Sequence, residues 1–75
     1  MKVVILGKNE VIYDGMAKEV VLPGEDGEFA VLDFHQSFFY RLKEGSIYVD
    51  RSDVCTIKDG VARMRGNELV ILVKR

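Results

Sequence analysis

Short apolar runs separated by polar, glycine-containing stretches make up the whole chain. Valine, isoleucine, phenylalanine and tyrosine dominate the runs, and such side chains suit the pleated surface of a β-sheet. Turn-forming stretches recur about every 8–12 residues, as is typical of β-sandwiches and barrels. The apolar runs cover residues 2–6, 10–13, 17–22, 28–32, 37–42, 46–50, 54–58, 61–65 and 68–74. The pattern predicts an all-β protein: a two-layer antiparallel β-sandwich of about eight to ten short strands, forming a single domain over residues 1–75.

Alternation within the runs predicts which side chains face the core, because successive side chains of a strand point to opposite faces. Ala62 and Met64 are expected to point inward, with Arg63 and Arg65 in water. The last run, residues 69–73, is apolar on both faces. It is therefore predicted to be a central or covered strand.

Three consecutive aromatic residues, Phe38, Phe39 and Tyr40, also alternate in direction if they lie on a strand. We expect Phe39 in the core and Tyr40 outside. An outward aromatic side chain either lies along the protein surface or contacts a partner, since aromatic residues are enriched at interface cores.

Composition fits a folded domain, with 48% hydrophobic and 31% charged residues and a formal net charge of −1. Such a charge provides little general attraction to nucleic acid or anionic lipid, although a local basic patch remains compatible with it. The single cysteine, Cys55, cannot form an internal disulfide, and the start of the chain does not resemble a signal peptide. We expect a reducing aqueous compartment and no direct membrane insertion, because no stretch approaches the roughly 20 apolar residues of a membrane span.

Residues for catalysis or metal binding are sparse. A catalytic role for His35, the only histidine, would need a nucleophile and an orienting group, and no motif supplies them. Metal binding by one histidine and scattered carboxylates is equally unsupported. Cys55 lies in an apolar run and is expected to be a buried structural thiol. The sequence therefore predicts no catalytic residue, metal or cofactor.

The most informative stretch, residues 20–32, has the sequence VVLPGEDGEFAVL. It predicts a strand, an acidic turn and a second strand. Pro23 is expected to end the first strand because it lacks a backbone N–H, and glycines permit the reversal. The acidic residues of this hairpin, Glu25, Asp26 and Glu28, should then be held in solvent. A calcium loop would need spaced aspartates and a closing glutamate, which are absent.

This stretch resembles the epsilon subunit of F-type ATP synthases, in which V-x-x-P-G-x-x-G-E-F-G-V-L precedes P-G-H-A-P. His35 takes the place of that family's histidine, and the sequences LKEGSI, IKDGVARM and NELVIL follow in the family's order and cover nearly the whole chain. Residues 33–37 depart from P-G-H-A-P by losing two prolines and a glycine, so we expect a less rigid loop.

The resemblance implies a non-catalytic rotor subunit that couples the gamma subunit to the membrane c ring, at the cytoplasmic face of the bacterial inner membrane and monomeric within its complex. Matching positions imply c-ring contact by Glu28, flanked by Glu25 and Asp26. They imply gamma contact by His35, Tyr40 and Gly7. The family's two C-terminal helices, which carry inhibition of hydrolysis and in some members ATP binding, have no counterpart in these residues, so neither property is expected of them.

An OB-like barrel that binds single-stranded nucleic acid is the alternative. Its stacking platform would combine aromatic side chains with nearby arginines. The candidates are Phe34, Phe38, Phe39, Tyr40, Arg41, Arg63 and Arg65. The acidic charge balance and the acidic hairpin count against it.

Overall fold

The protein is described by a computed structural model of all 75 residues, in which every regular element is a β-strand. The strands are β1 (Lys2–Gly7), β2 (Glu10–Met16), β3 (Glu19–Gly24), β4 (Gly27–Leu32), β5 (Phe38–Leu42), β6 (Gly45–Val49), β7 (Ser52–Ile57), β8 (Asp59–Arg65) and β9 (Glu68–Lys74). The predicted all-β sandwich is confirmed, and its nine strands lie within the expected number. No helix is present that could span a bilayer.

The strands form two layers that meet at one corner. Layer one has the order β2-β1-β9-β8-β5, and layer two has the order β4-β3-β6-β7. A single pairing, Gly24 with Leu42, joins β3 to β5 and so connects the layers. All pairs are antiparallel except β1 and β9, which run parallel. Strand β9 lies between β1 and β8, which confirms its predicted central position.

The core is entirely apolar: 17 buried hydrophobic residues form one cluster, and no polar or charged side chain is buried with them. Ala62 and Met64 are buried while Arg63 and Arg65 are exposed, as the alternation predicts. Because no buried polar side chain needs a hydrogen-bond partner, the stability of the fold depends on the burial of these apolar side chains between the layers.

The predicted orientation of β5 is wrong. Phe39 is 70% exposed, whereas Tyr40 is half-buried. The register explains the error: Tyr40 pairs with Ala62, and residues directly opposite in an antiparallel pair share a face. Because Ala62 faces the core, Tyr40 lies on the inward side and Phe39 on the outward side.

Pro23 does not end β3, which continues to Gly24. At Pro23 the strand passes from its neighbour β6 to its neighbour β5, and Pro23 pairs with neither of them. The Pro23 carbonyl oxygen accepts a hydrogen bond from the Lys43 N–H at 2.8 Å. A proline is tolerated here because no ladder partner needs the N–H that it lacks.

Adjacent residues of β9 test the division between core and surface. Ile71 is fully buried, whereas Leu72 is 49% exposed on the outer face of layer one. We expect Ile71→Ala to lower the free energy of unfolding by about 2–5 kcal/mol, since it leaves a cavity. Leu72→Ala should cost clearly less. Denaturant unfolding of both variants checks this, and equal losses would contradict the assignment of faces.

Candidate functional site

The acidic hairpin joins β3 to β4 through two residues, Glu25 and Asp26, between the paired Gly24 and Gly27. Gly27 has φ of +132°, a conformation that residues with a Cβ rarely adopt. The side chains of Glu25, Asp26 and Glu28 are exposed, which confirms that the hairpin holds its carboxylates in solvent.

Two contacts from β5 hold the tip of the hairpin. The Glu25 N–H donates to the Arg41 carbonyl oxygen at 2.9 Å. The Tyr40 hydroxyl donates to Asp26 Oδ2 at 2.8 Å. This hydrogen bond raises the pKa of Tyr40 above its ordinary value of 10.0, because the neighbouring carboxylate disfavours the phenolate. Tyr40 is therefore a neutral donor at physiological pH.

The ring of Phe29 packs over Gly24. A Cβ on Gly24 would lie 2.7 Å from both the Gly27 carbonyl oxygen and the Phe29 ring, closer than real Cβ contacts. The absence of a side chain at Gly24 thus lets β4 and its phenylalanine approach the end of β3.

Aromatic rings connect the hairpin to the loop that contains His35. Phe29 lies 4.9 Å from Tyr40 and 5.9 Å from Phe38, measured between ring centroids. Phe38 in turn lies 5.4 Å from the His35 ring, edge to face. The structure therefore places Tyr40 beside the acidic turn, although the resemblance had assigned the two to separate contacts. His35 lies beyond the opposite end of β4 and is linked to Phe29 only through Phe38.

The loop of residues 33–37 is tied to its surroundings at several points. The Phe34 N–H donates to Asn67 Oδ1 at 2.8 Å, the His35 N–H donates to the Leu32 carbonyl oxygen at 3.1 Å, and Asp33 contacts the Met1 ammonium. Phe34 has φ of +62°, so it keeps a left-handed conformation where the resembling motif has glycine. His35 itself is exposed, with Nδ1 2.9 Å from the Gln36 carbonyl oxygen.

Gly7 lies apart from His35 and Tyr40. It ends β1, which is separated from β5 in layer one by β9 and β8. There it borders a shallow groove of about 410 Å³ whose apolar lining includes Leu6, Val61 and Leu72. The three predicted gamma contacts therefore lie at three separate places: Gly7 at the end of β1, Tyr40 beside the acidic turn and His35 in the loop after β4.

An apolar outer face on layer one was not singled out from the sequence. The register places Leu6, Leu72 and Val61 in one row across β1, β9 and β8, and Val4 with Val70 in the next row. None of the five is fully buried, and Leu72 is 49% exposed. The available signal was the run 69–73, which is apolar on both faces of its strand although only one face can meet the core.

The residues proposed as a nucleic-acid platform are divided between two sides of the sheet. Phe38 and Tyr40 turn inward, and Phe39 and Arg63 turn outward. Arg41 is engaged by Asp59 through two hydrogen bonds of 3.2 and 3.3 Å. The aromatic rings and arginines therefore do not form one stacking surface.

Groups that could perform chemistry are dispersed. No three side chains from His, Cys, Asp and Glu come together as a possible metal site. Cys55 is buried, as predicted, and burial raises the pKa of its thiol, which disfavours the reactive thiolate.

Comparisons with known proteins agree with this geometry. Residues 1–75 match the family described as "ATP synthase, Delta/Epsilon chain, beta-sandwich domain". The chain belongs to this family. It is 38% identical to an ATP synthase epsilon chain of Sulfurimonas denitrificans over 78 residues, which cover 99% of this chain and 60% of that relative. An epsilon chain of Campylobacter lari is 40% identical over 68 residues, which cover 85% of this chain and 52% of the relative.

One solved structure shares the fold of this delta/epsilon-type sandwich. It is described as the central stalk and c ring of the Tetrahymena thermophila mitochondrial ATP synthase, with a TM-score of 0.82 at 13% identity, and the match covers 99% of this chain and 63% of the other. The chain thus spans a little over half the length of the relatives that it matches.

The close approach at Gly24 can be tested in this delta/epsilon-type domain by adding one methyl group. We expect Gly24→Ala to lower the free energy of unfolding by about 1–3 kcal/mol, because the Gly27 backbone and the Phe29 ring must move. Gly15→Ala is the control, since its nearest neighbour would lie at an ordinary 3.4 Å. Thermal unfolding of the two variants measures the difference. Equal stability would show that the Phe29 contact does not constrain the hairpin.

Proposed function

We propose that this chain forms the β-sandwich of a rotor-stalk subunit that couples the gamma subunit to the c ring during proton-driven ATP synthesis. Membership of the delta/epsilon family and the epsilon-chain names of its relatives support the proposal. The subunit has no catalytic role of its own. It would lie peripherally at the cytoplasmic face of the bacterial inner membrane and be held there by protein partners, as one copy per complex.

One observation carries the proposal: a compact block presents two chemically different surfaces and no reactive cleft. The tip of the β3–β4 hairpin is acidic, with Glu25, Asp26 and Glu28 exposed. The outer face of layer one is apolar at its centre, around Leu72. A sandwich packed around one continuous core transmits displacement between such surfaces without deforming, because protein interiors are close-packed.

The acidic hairpin is suited to the polar loops of a c ring. Its carboxylates lie at the end of a two-strand projection whose outer strand, β4, pairs only with β3. Glu28 is the central contact and Glu25 lies beside it. Carboxylates that meet a basic surface contribute orientation and register more than affinity, which suits a subunit that must stay aligned while it turns.

The gamma subunit is assigned the apolar outer face near Gly7, together with the His35 loop. Apolar patches that are exposed on one side of a sheet mark protein contacts when they are contiguous. The row Leu6, Leu72 and Val61 meets that description, and Gly7 lies beside it.

Reversing the charge of Glu28 tests the c-ring contact. We expect Glu28→Lys to reduce retention of the chain on assembled rotor roughly three- to tenfold, because an attractive contact becomes repulsive. The fold should be unaffected, since Glu28 is exposed. A pull-down with purified rotor measures retention.

Asp53→Lys is the matched control for this charge reversal. Asp53 is an exposed carboxylate on β7, which forms the edge of layer two opposite β4. Retention should be unchanged in that variant. If Glu28→Lys and Asp53→Lys behave alike, the hairpin does not contact the c ring.

A second substitution tests the gamma contact. Leu72→Asp places a carboxylate at the centre of the apolar outer face and should weaken binding to purified gamma subunit roughly tenfold or more, because burial of a charge in an apolar contact is costly. Thr56→Asp, at an exposed position of β7, is the control. Titration calorimetry gives both affinities. If Leu72→Asp binds the gamma subunit as tightly as wild type, the outer face of layer one is not part of the interface.

A further inference from the structure

Asp26 differs from the two other hairpin carboxylates because it has a partner within the chain. Its Oδ2 accepts the hydroxyl of Tyr40 at 2.8 Å, whereas the side chains of Glu25 and Glu28 make no hydrogen bond or ion pair in the protein. A hydroxyl that donates to an ionised carboxylate forms one of the stronger kinds of hydrogen bond. The three acidic residues therefore cannot be treated as equivalent.

We propose that Tyr40 is a positioning residue that fixes the acidic hairpin through Asp26, while Glu25 and Glu28 are the carboxylates that dock on a basic partner surface. The division deepens the proposed function and rests on it for the identity of the partner. It removes Asp26 from the docking residues suggested by the resemblance and moves Tyr40 from the gamma contact to the support of the hairpin.

Tyr40 is suited to this role because its own ring is held in place. It packs at 4.9 Å from the Phe29 ring, which contacts Phe38 at 5.9 Å. The hydroxyl therefore projects from an anchored group on β5, a strand of layer one, onto a turn of layer two. The bond spans the corner at which the layers meet through the single pairing of Gly24 with Leu42.

The hairpin tip needs such a support. Strand β4 has β3 as its only neighbour, so the two-residue turn has no further strand beside β4 to limit its motion. Besides the Tyr40 bond, the turn itself is tied to β5 by the hydrogen bond from the Glu25 N–H to the Arg41 carbonyl oxygen. Fixing the turn before it binds reduces the conformational entropy lost on docking, which increases affinity without adding a contact.

Four substitutions separate positioning from docking. Asp26→Asn keeps an oxygen acceptor for Tyr40 but removes the charge, whereas Asp26→Ala and Tyr40→Phe each remove the hydrogen bond. Glu28→Gln removes a docking charge only.

We expect Tyr40→Phe and Asp26→Ala to reduce retention on assembled rotor by similar factors, roughly three- to tenfold, and Asp26→Asn to remain close to wild type. The double variant Tyr40→Phe/Asp26→Ala should lose no more than either single one, because both remove the same bond.

A partner-independent measurement accompanies the pull-down. Amide hydrogen exchange of Glu25 in the isolated chain reports the hydrogen bond between the turn and Arg41. Exchange should become roughly three- to tenfold faster in Tyr40→Phe and Asp26→Ala, and stay unchanged in Asp26→Asn and Glu28→Gln. An NMR titration of the Tyr40 ring should give a higher pKa in wild type than in Asp26→Ala, which confirms that the bond exists in solution.

The outcomes distinguish the two proposals. If Asp26→Asn weakens retention as much as Glu28→Gln while Tyr40→Phe has no effect, Asp26 is a docking charge and the positioning role is overturned. Unchanged Glu25 exchange in Tyr40→Phe also overturns it. If wild-type chain is not retained on the rotor at all, the proposed function fails, and the exchange data alone then decide whether Tyr40 fixes the hairpin.

Discussion

The ring of Phe29 lies where a side chain on residue 24 would be, 2.7 Å from that Cβ position. This contact brings the end of β3 close to β4, and Tyr40 packs against the same ring. The acidic turn and the pairing of β3 with β5 lie next to it, and Phe38 links it to the loop containing His35. A larger residue at position 24 would push the end of β3 away from β4 and the Phe29 ring. The close approach of the two strands therefore depends on the absence of a side chain at Gly24, while the Tyr40–Asp26 hydrogen bond holds the turn.

The corner between the layers explains how one small domain can hold the two proposed docking surfaces in fixed relation. Strand β3 pairs with β6 over Val20 and Val21 and then with β5 at Gly24. Beyond that point the hairpin projects from layer two but is hydrogen-bonded to layer one through Arg41 and Tyr40. In the proposed function, these backbone and ring contacts pass motion of the apolar outer face to the acidic tip. The proposed rotor role requires this geometry to be maintained under load, and dense packing provides stiffness.

The nine strands and the central place of β9 could be predicted from the sequence because glycine-rich turns and period-two alternation are local signals. The parallel pairing of β1 with β9 could not, since parallel and antiparallel strands share the same side-chain period. The orientation of β5 was predicted wrongly because three successive aromatic residues make both faces look alike. Only its register with Ala62 and Met64 decides which face meets the core. For the same reason the sequence could not predict the contact between Tyr40 and Asp26, which are 14 residues apart and meet only where the two layers join.

A formal net charge of −1 conceals a marked separation of charge. The hairpin carries three exposed carboxylates, whereas the outward positions of layer one carry more cations than carboxylates. Its cations are Lys2, Arg41, Arg63, Arg65 and Lys74, and its carboxylates are Asp14, Asp59 and Glu68. Two of those cations are already neutralised by ion pairs within the face, Lys2 with Asp14 and Arg41 with Asp59. Charge balance over the whole chain therefore says little about partners. A surface of each sign at a different place favours two protein partners of opposite character over one extended polyanion, because a polyanion would meet repulsion at the hairpin.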